Sequence, residues 1–302
     1  MILGAGRNLR IGGVDLAVSA PPSLRLRVSD PHYRPFIAAA AAGGGDLRIP
    51  LRLKEGPWPE FRQRLKIFDT QDSWSLGRDG KRIWISLSPL PHESPLWMAR
   101  FDRRLGRVDL YCRVPGGGGK RATVDLPLVY PLDQLLLMYF LATRRGLLLH
   151  AAGMVRRGGS FLFAGASGAG KSTISGLLAR ARAGRILSDE RMIVREIDGK
   201  MIAFGTPWAG TAGIARNGAA PLAGIFFLEQ AKTSGIARLD PAPALDRLLP
   251  LVSIPWYDHE TMAAIIAFAK RALARIPAYE FRFTPDGSAI DFFLKFMENA
   301  SF

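Results

Sequence analysis

The sequence contains a single cysteine, Cys112, among its 302 residues. One thiol can form neither an internal disulfide nor a cysteine-built metal site, so both are excluded. No grouping of His, Asp and Glu suggests a structural zinc site. Cys112 lies in a stretch of alternating apolar and polar residues, which favours a half-buried structural position in a strand.

Long apolar runs are also missing. No stretch approaches the roughly 18 uncharged apolar residues that a membrane-spanning helix needs. The longest candidate, residues 131–143, ends at Arg144 and Arg145. The N-terminus lacks the apolar stretch of a secretion signal. We therefore expect a cytoplasmic protein with no membrane partner.

Basic residues do not form runs, although the net charge is +15. The Lys and Arg residues are scattered and are not interleaved with aromatic residues as in RNA-binding sheets. This distribution argues against a nucleic-acid partner. A positive surface would equally suit an acidic protein or a phosphate-bearing substrate. The oligomeric state, including a homo-oligomer, is left open.

Hydrophobic patterning divides the chain into two regions, and the composition, 48% hydrophobic, is that of a folded protein. Residues 1–128 predict a β-rich N-terminal region, in which Asp79-Gly80 between two alternating segments indicates a type I′ hairpin. Residues 129–302 predict a second domain in which helices alternate with apolar strands, beginning with a helix at 132–143. The expected fold class is α/β, of mixed α+β character.

The most specific motif is a glycine-rich loop between an apolar strand, 160–164, and an amphipathic helix, 171–182. The loop matches the phosphate-loop (Walker A) pattern at every fixed position. Its glycines allow backbone N–H groups to converge on a phosphate, and the helix N-terminus adds its positive dipole end. The residues predicted to bind ATP are Gly165, Ala166, Ser167, Gly168, Ala169, Gly170, Lys171, Ser172 and Thr173.

Two of these residues have specific expected roles. Lys171 would contact the β- and γ-phosphates, where negative charge must be held during phosphoryl transfer. The hydroxyl of Ser172 is a hard oxygen ligand suited to Mg²⁺. ATP and Mg²⁺ are therefore the expected cofactors.

Two carboxylates, Asp189 and Glu190, follow a short apolar strand. Strand carboxyl ends line the ligand crevice of α/β sheets, so we expect this pair near the phosphate loop. Phosphoryl transfer needs one carboxylate for Mg²⁺ and one to accept the proton of the attacking hydroxyl. His150, in an apolar strand, is either a hydrogen-bonded core residue or a group that tunes the base. The residues alone leave both interpretations open.

Taken together, His150-Ala-Ala-Gly, the loop at 165–172 and Leu187-Ser-Asp-Glu-Arg191 resemble the catalytic domain of HPr kinase/phosphorylase. That family is grouped with phosphoenolpyruvate carboxykinases as a separate class of P-loop kinases. Residues 205–208 and 213–229 are similar to HPr-kinase-related proteins, some of which phosphorylate a serine of lasso peptide precursors. The resemblance implies an HPr kinase/PEP carboxykinase-like P-loop core.

The resemblance also implies a role for each matching residue. His150 would be the active-site histidine, Lys171 the phosphate-binding lysine, and Ser172 and Asp189 the metal ligands. Glu190 stands where the family has the aspartate that accepts the proton. The family's second Mg²⁺-binding glutamate has no clear counterpart; the nearby candidates are Glu196 and Glu229. The N-terminal region does not resemble that of true HPr kinases.

We therefore expect an ATP-dependent kinase that transfers the γ-phosphoryl group to a serine hydroxyl of a peptide or protein. One alternative is a small-molecule hydroxyl kinase with the same machinery. The other is a nucleotide-binding regulatory protein that hydrolyses ATP slowly or not at all, which the missing glutamate favours.

Overall fold

The computed structural model describes residues 1–3, 7–39, 48–54, 66–70, 73–88, 95–112 and 122–299. The chain divides into two compact units, Met1–Phe140 and Leu141–Phe302. Strands dominate the first unit, whereas strands and helices are mixed in the second, so the protein is of mixed α/β class. The division into a β-rich region and a catalytic domain at 128/129 stays a prediction.

Strands of the first unit form a large sheet and a small parallel pair. The strands are β1 Arg7–Ile11, β2 Val14–Ser19, β3 Leu24–Arg27, β4 Ile37–Ala39, β5 Arg48–Lys54, β6 Lys66–Asp69, β7 Trp74–Asp79, β8 Arg82–Leu87, β9 Trp97–Asp102, β10 Val108–Cys112 and β11 Ala122–Asp125, with a 3₁₀-helix at Pro31–Phe36. The large sheet has the order β4-β1-β2-β5-β10-β9-β8-β7-β6, and β11 pairs with β3. Cys112 is half-buried at the end of β10, as predicted.

The β7–β8 hairpin confirms the sequence prediction but uses a different turn. Asp79 pairs with Arg82, so the two central residues are Gly80 and Lys81. Gly80 has a positive φ of 57°, and Lys81 does not have a positive φ. One left-handed residue at the first central position is the pattern of a type II′ turn, whereas type I′ needs two. The predicted turn type was therefore wrong.

The second unit mixes strands with helices, and the five strands between residues 185 and 239 follow one another without a helix between them. Its elements follow α1 Leu132–Thr143 and are β12 Gly146–Arg156, β13 Gly159–Ala164, α2 Lys171–Arg180, β14 Arg185–Ser188, β15 Arg191–Ile197, β16 Lys200–Gly205, β17 Ala219–Gln230, β18 Gly235–Leu239, α3 Pro241–Leu248, α4 His259–Leu273, β19 Ala278–Phe283 and α5 Ser288–Asn299, with a 3₁₀-helix at Leu249–Leu251. The predicted helix at 132–143 is confirmed. Among the described residues, no helix combines the length and apolar character needed to cross a bilayer.

Two long strands, β12 and β17, each belong to two sheets. The first half of β12 pairs with β15, and its second half pairs with β13 and β14. The start of β17 pairs with β16, and the rest runs parallel to β13 and β19. His150 lies where β12 passes from one sheet to the other, opposite Arg191. Because the first half of β12 pairs with β15, His150 lies beside the segment that carries the acidic pair.

An aromatic cluster fills the core of the second unit. Phe293 of α5 is fully buried, and its ring lies 5.3 Å from that of Phe226 and 5.4 Å from that of Phe163. Ile174 and Leu178, one helical turn apart on α2, are buried in the same cluster. This packing fixes α2 against the strand that precedes it, and so holds the loop between them.

Replacing Phe293 by Ala should lower the free energy of unfolding by about 3–5 kcal/mol, because it leaves a cavity among buried rings. The matched control is Phe292→Ala on the same helix, where the side chain is 40% exposed; there we expect less than about 1 kcal/mol. Urea unfolding followed by circular dichroism measures both. Equal losses in the two variants would contradict the described packing of α5.

Candidate active site

The loop 165–170 joins β13 to α2, and its conformation depends on glycine. Gly168 and Gly170 have φ values of 82° and 96°, in the left-handed region. A Cβ on Gly170 would lie 2.5 Å from Cζ of Phe283, and one on Gly165 would lie 2.6 Å from Cβ of Ala169. Residues 166–168 are exposed, so the middle of the loop is open to solvent.

Lys171, the first residue of α2, is almost completely buried, with 5% of its surface exposed. Its Nζ donates to the carbonyl oxygens of Gly165 at 3.0 Å and Ala166 at 3.1 Å. A lysine ammonium has three N–H donors, so one remains for an anion held by the loop. The N-cap of α2 is Gly170, which has no side chain to cap the first-turn N–H groups. The junction therefore combines the positive charge of Lys171 with first-turn N–H groups that the N-cap residue does not cap.

The electrostatics of Lys171 connect the loop to the acidic pair. Burial lowers the pKa of Lys171; the negative charge of Glu190 opposes this shift, the positive charge of Arg191 adds to it, and Asp189 opposes it. Both carboxylates thus lie within electrostatic range of the ammonium. The structure brings together the lysine and the two carboxylates that the sequence predicts to share a site.

Asp189 is completely buried, and both of its carboxylate oxygens accept backbone hydrogen bonds. Oδ1 accepts from the N–H of Gly210 at 2.9 Å and of Ile214 at 3.2 Å, and Oδ2 accepts from Ala212 at 2.7 Å. Asp189 therefore anchors residues 209–214, which we call the 209–214 loop. Direct binding of Mg²⁺ by Asp189 stays a prediction.

Glu190 pairs with His150, whose Nε2 lies 2.7 Å from Oε1 of the carboxylate. Burial lowers the pKa of His150, and the positive charge of Lys171 lowers it further, while Glu190 opposes both. The lowered pKa favours the neutral imidazole, and because a carboxylate oxygen only accepts, it is the Nε2–H that donates to Glu190. His150 is thus half-buried and hydrogen-bonded to the acidic pair, and its role in tuning the base stays a prediction.

The structure adds two residues that sequence reasoning missed. Thr211 Oγ1 donates to Oγ of Ser172 at 2.7 Å. A Cβ on Gly210 would lie 2.9 Å from Oδ2 of Asp189 and 3.0 Å from Oε2 of Glu190, so its backbone lies directly against both carboxylates. The Gly- and Ala-rich sequence around them gave no signal, because the contact arises only when the loop returns to the end of β14.

Glu196, a candidate for the second metal-binding glutamate, has other partners. Its carboxylate forms ion pairs with Arg145, Arg271 and Arg275. Glu229 lies at the end of β17, opposite Arg282 of β19, and is exposed. Glu196 is therefore engaged by three arginines, and metal binding by Glu229 stays a prediction.

The fold and the site define a mixed α/β protein that carries a phosphate-loop motif between a strand and a helix. The family model described as SynChlorMet cassette protein ScmC matches residues 122–288, more than half of the chain, and the protein belongs to this family. None of the curated proteins matches the chain.

One solved structure with similarity is that of the HPr(Ser) kinase/phosphatase from Coxiella burnetii. Its identity to this chain is 11% and its TM-score is 0.30, over 50% of this chain and 95% of that one. A TM-score of this size supports no conclusion about fold or activity.

Two glycines of the same segment should respond in opposite ways to alanine. Gly170→Ala forces a side chain into the left-handed region and against Phe283, and should lower the free energy of unfolding by at least about 1–2 kcal/mol. Gly176→Ala, inside α2 with nothing within 4 Å of its Cβ, should raise it by about 0.5–1 kcal/mol. Urea unfolding tests both. A stabilising effect of Gly170→Ala would contradict the loop geometry.

The lowered pKa of His150 should make stability depend on pH. Between that pKa and the ordinary value of 6.5, the unfolded chain binds more protons than the folded one, so stability falls as the pH falls. Relative to His150→Gln, which cannot be protonated, the wild type should lose up to about 1.4 kcal/mol per pH unit in this window. Urea unfolding at pH 7.5, 6.5 and 5.5 measures the difference. Parallel curves for the two proteins would show that the shift is absent.

Proposed function

We propose that the protein is an ATP-dependent kinase that transfers the γ-phosphoryl group of ATP to a serine hydroxyl of a peptide or protein. The observation that carries this proposal is the segment Gly210–Thr211: the Thr211 hydroxyl donates to Ser172 at 2.7 Å, and the Gly210 backbone lies against both carboxylates and donates to Asp189 at 2.9 Å. It joins a phosphate-loop motif to the two carboxylates that phosphoryl transfer requires.

Residues 165–173 fit the phosphates of a nucleotide. The left-handed glycines turn the loop, its middle is open to solvent, and Lys171 keeps one N–H donor for a phosphate oxygen. The uncapped N-terminus of α2 adds positive potential at the same place. Ser172 would hold Mg²⁺, which when bound neutralises negative charge that develops on the phosphates.

Glu190 is the proposed base. The neutral His150 donates to Oε1 and so fixes the orientation of the carboxylate, which leaves Oε2 to accept a proton. In the reaction, a bond forms between the acceptor oxygen and the γ-phosphorus while the bond to the bridging oxygen breaks. The hydroxyl proton moves to Glu190, and ADP leaves with the electron pair of the broken bond.

The acceptor class rests on two features of the sequence. The net charge of +15 favours acidic or phosphate-bearing partners, and the motifs resemble those of kinases that act on serine. A nucleotide-binding regulatory protein is the second candidate. In a kinase, Asp189 is expected to bind the metal ion. Its oxygens instead accept hydrogen bonds from the 209–214 loop, and this favours a protein that binds nucleotide without transferring phosphate.

Lys171→Met should lower the rate of phosphoryl transfer by about 10²–10³-fold, because it removes the positive charge that stabilises the negative charge of the transferred phosphoryl group. The control is Lys295→Met, which changes an exposed lysine on α5 and should leave the rate unchanged. Consumption of ATP and transfer of radiolabelled γ-phosphate measure the effect.

The acceptor is tested with an array of serine-containing peptides, each paired with its Ser→Ala version, and with simple polyols as small acceptors. Label on serine peptides alone supports the proposal, and label on a polyol alone favours the small-molecule kinase. Nucleotide binding with no transfer to any acceptor would overturn the kinase in favour of the regulatory protein.

A further inference from the structure

We propose that Thr211 provides a second protein oxygen for the Mg²⁺ site, beside Ser172, and that Asp189 is the positioning residue that holds Thr211 there. This inference rests on the proposed nucleotide binding at residues 165–173. It assigns the metal-binding part of the site to two hydroxyl groups from different parts of the chain. The carboxylate of Asp189 then acts through the 209–214 loop and does not bind the ion directly.

The spacing of the two hydroxyl oxygens suits a single ion. Oγ1 of Thr211 and Oγ of Ser172 are 2.7 Å apart. Mg²⁺ binds oxygen at about 2.0–2.1 Å in octahedral geometry, so two oxygens at this separation would subtend an angle of about 80° at the ion. Neighbouring ligands of an octahedron subtend about 90°. The hydrogen bond between the hydroxyls therefore holds them at nearly the separation that adjacent ligands need.

The hydrogen bonds of Asp189 explain why it is not the ligand. A carboxylate oxygen has two lone pairs, and Oδ1 already accepts from both Gly210 and Ile214. Oδ2 accepts from Ala212, and the whole side chain is buried. An ion at Oδ1 would displace bonds from backbone N–H groups that have no other described acceptor. Oδ2 keeps one lone pair, but it belongs to a completely buried side chain and lies against the backbone of Gly210.

The 209–214 loop is fixed at its far end as well. Ala215 forms a bridge with Ser188, and the N–H of Arg216 donates to the carbonyl of Leu187 at 2.8 Å. Gly213, with a φ of 68°, supplies the left-handed residue that the return of the chain needs. Thr211 is thus carried by a loop held on both sides, and its position does not depend on its own hydrogen bond.

A site built from hydroxyls agrees with the surrounding chemistry. Within the ranges that the structure describes, no three His, Cys, Asp or Glu side chains gather as a metal-binding group. Mg²⁺ in nucleotide sites takes few protein ligands and completes its octahedron with phosphate oxygens and water. The two hydroxyls would be the few protein ligands, and the carboxylate expected at such a site, Asp189, would act through the loop that carries Thr211.

Calorimetry gives the affinity for ATP in Mg²⁺ and in EDTA. We call the ratio of the two affinities the gain from Mg²⁺. Thr211→Val keeps the shape but removes the oxygen, and should reduce the gain from Mg²⁺ by at least about tenfold while binding in EDTA is unchanged. Thr211→Ser should keep the gain. A Thr211→Val protein with the full gain would overturn the inference while leaving nucleotide binding intact. Absence of ATP binding by the wild type in either condition would overturn both proposals.

Direct ligation is tested with Thr211→Cys, since a thiol prefers softer ions than Mg²⁺. This variant should lose the gain from Mg²⁺ and recover it with Cd²⁺. Ser172→Cys is the matched positive control, and the wild type, which also contains Cys112, shows whether Cd²⁺ acts elsewhere. Loss of the gain without recovery in Cd²⁺ would mean that Thr211 is only structural, and the assignment would be wrong.

Asp189→Asn tests the positioning role through hydrogen exchange. If Asp189 holds the loop, the amides of Gly210, Ala212 and Ile214 should exchange faster in this variant, and the gain from Mg²⁺ should fall with them. If the gain falls while the three amides stay protected, Asp189 binds the ion itself, and its positioning role is overturned.

Discussion

The buried carboxylate of Asp189 is the constraint on which the site depends. A carboxylate removed from water is strongly destabilising unless hydrogen bonds satisfy its charge. Here three backbone N–H groups do so, and hydrogen bonds to a charged group contribute about 1.5–3 kcal/mol each. Because these donors all belong to the 209–214 loop, the end of β14 and the loop must fold together. The positions of Gly210 and Thr211 follow from that requirement.

A second constraint is the balance of charge around Glu190. Its carboxylate contacts His150 and acts on Lys171, while Arg191 follows it in the chain. Burial lowers the pKa of both His150 and Lys171, so the low dielectric that strengthens attraction to Glu190 also disfavours their charged forms. For His150 the lowered pKa favours a neutral imidazole, which donates a hydrogen bond without adding a charge that would repel the nearby ammonium.

The hydrophobic core and the strand pairing hold these charged and polar side chains in position. Residues on α2 and α5 insert into one aromatic cluster, which fixes the helix that begins at Lys171. β12 pairs with β15 in its first half and with β13 in its second half, and His150 lies where the partner changes. Lys171 and His150 therefore come from regular elements, whereas Thr211 comes from a loop that the buried carboxylate of Asp189 holds in place.

The sequence alone determined the local features: the glycine-rich loop, the helix after it, the acidic pair after a short strand, and helix 132–143. These features depend on residues close together in the chain, through backbone conformation and hydrophobic periodicity. The turn type at Gly80 was mistaken because strand register, and not the Asp-Gly pair, decides which residues are central. The tertiary structure alone decided that His150 meets Glu190, 40 residues away, and that Thr211 meets Ser172, 39 residues away. Such contacts depend on the order of the strands and on which backbone N–H groups bind the buried carboxylate. Neither property produces a pattern among residues that are close in the sequence.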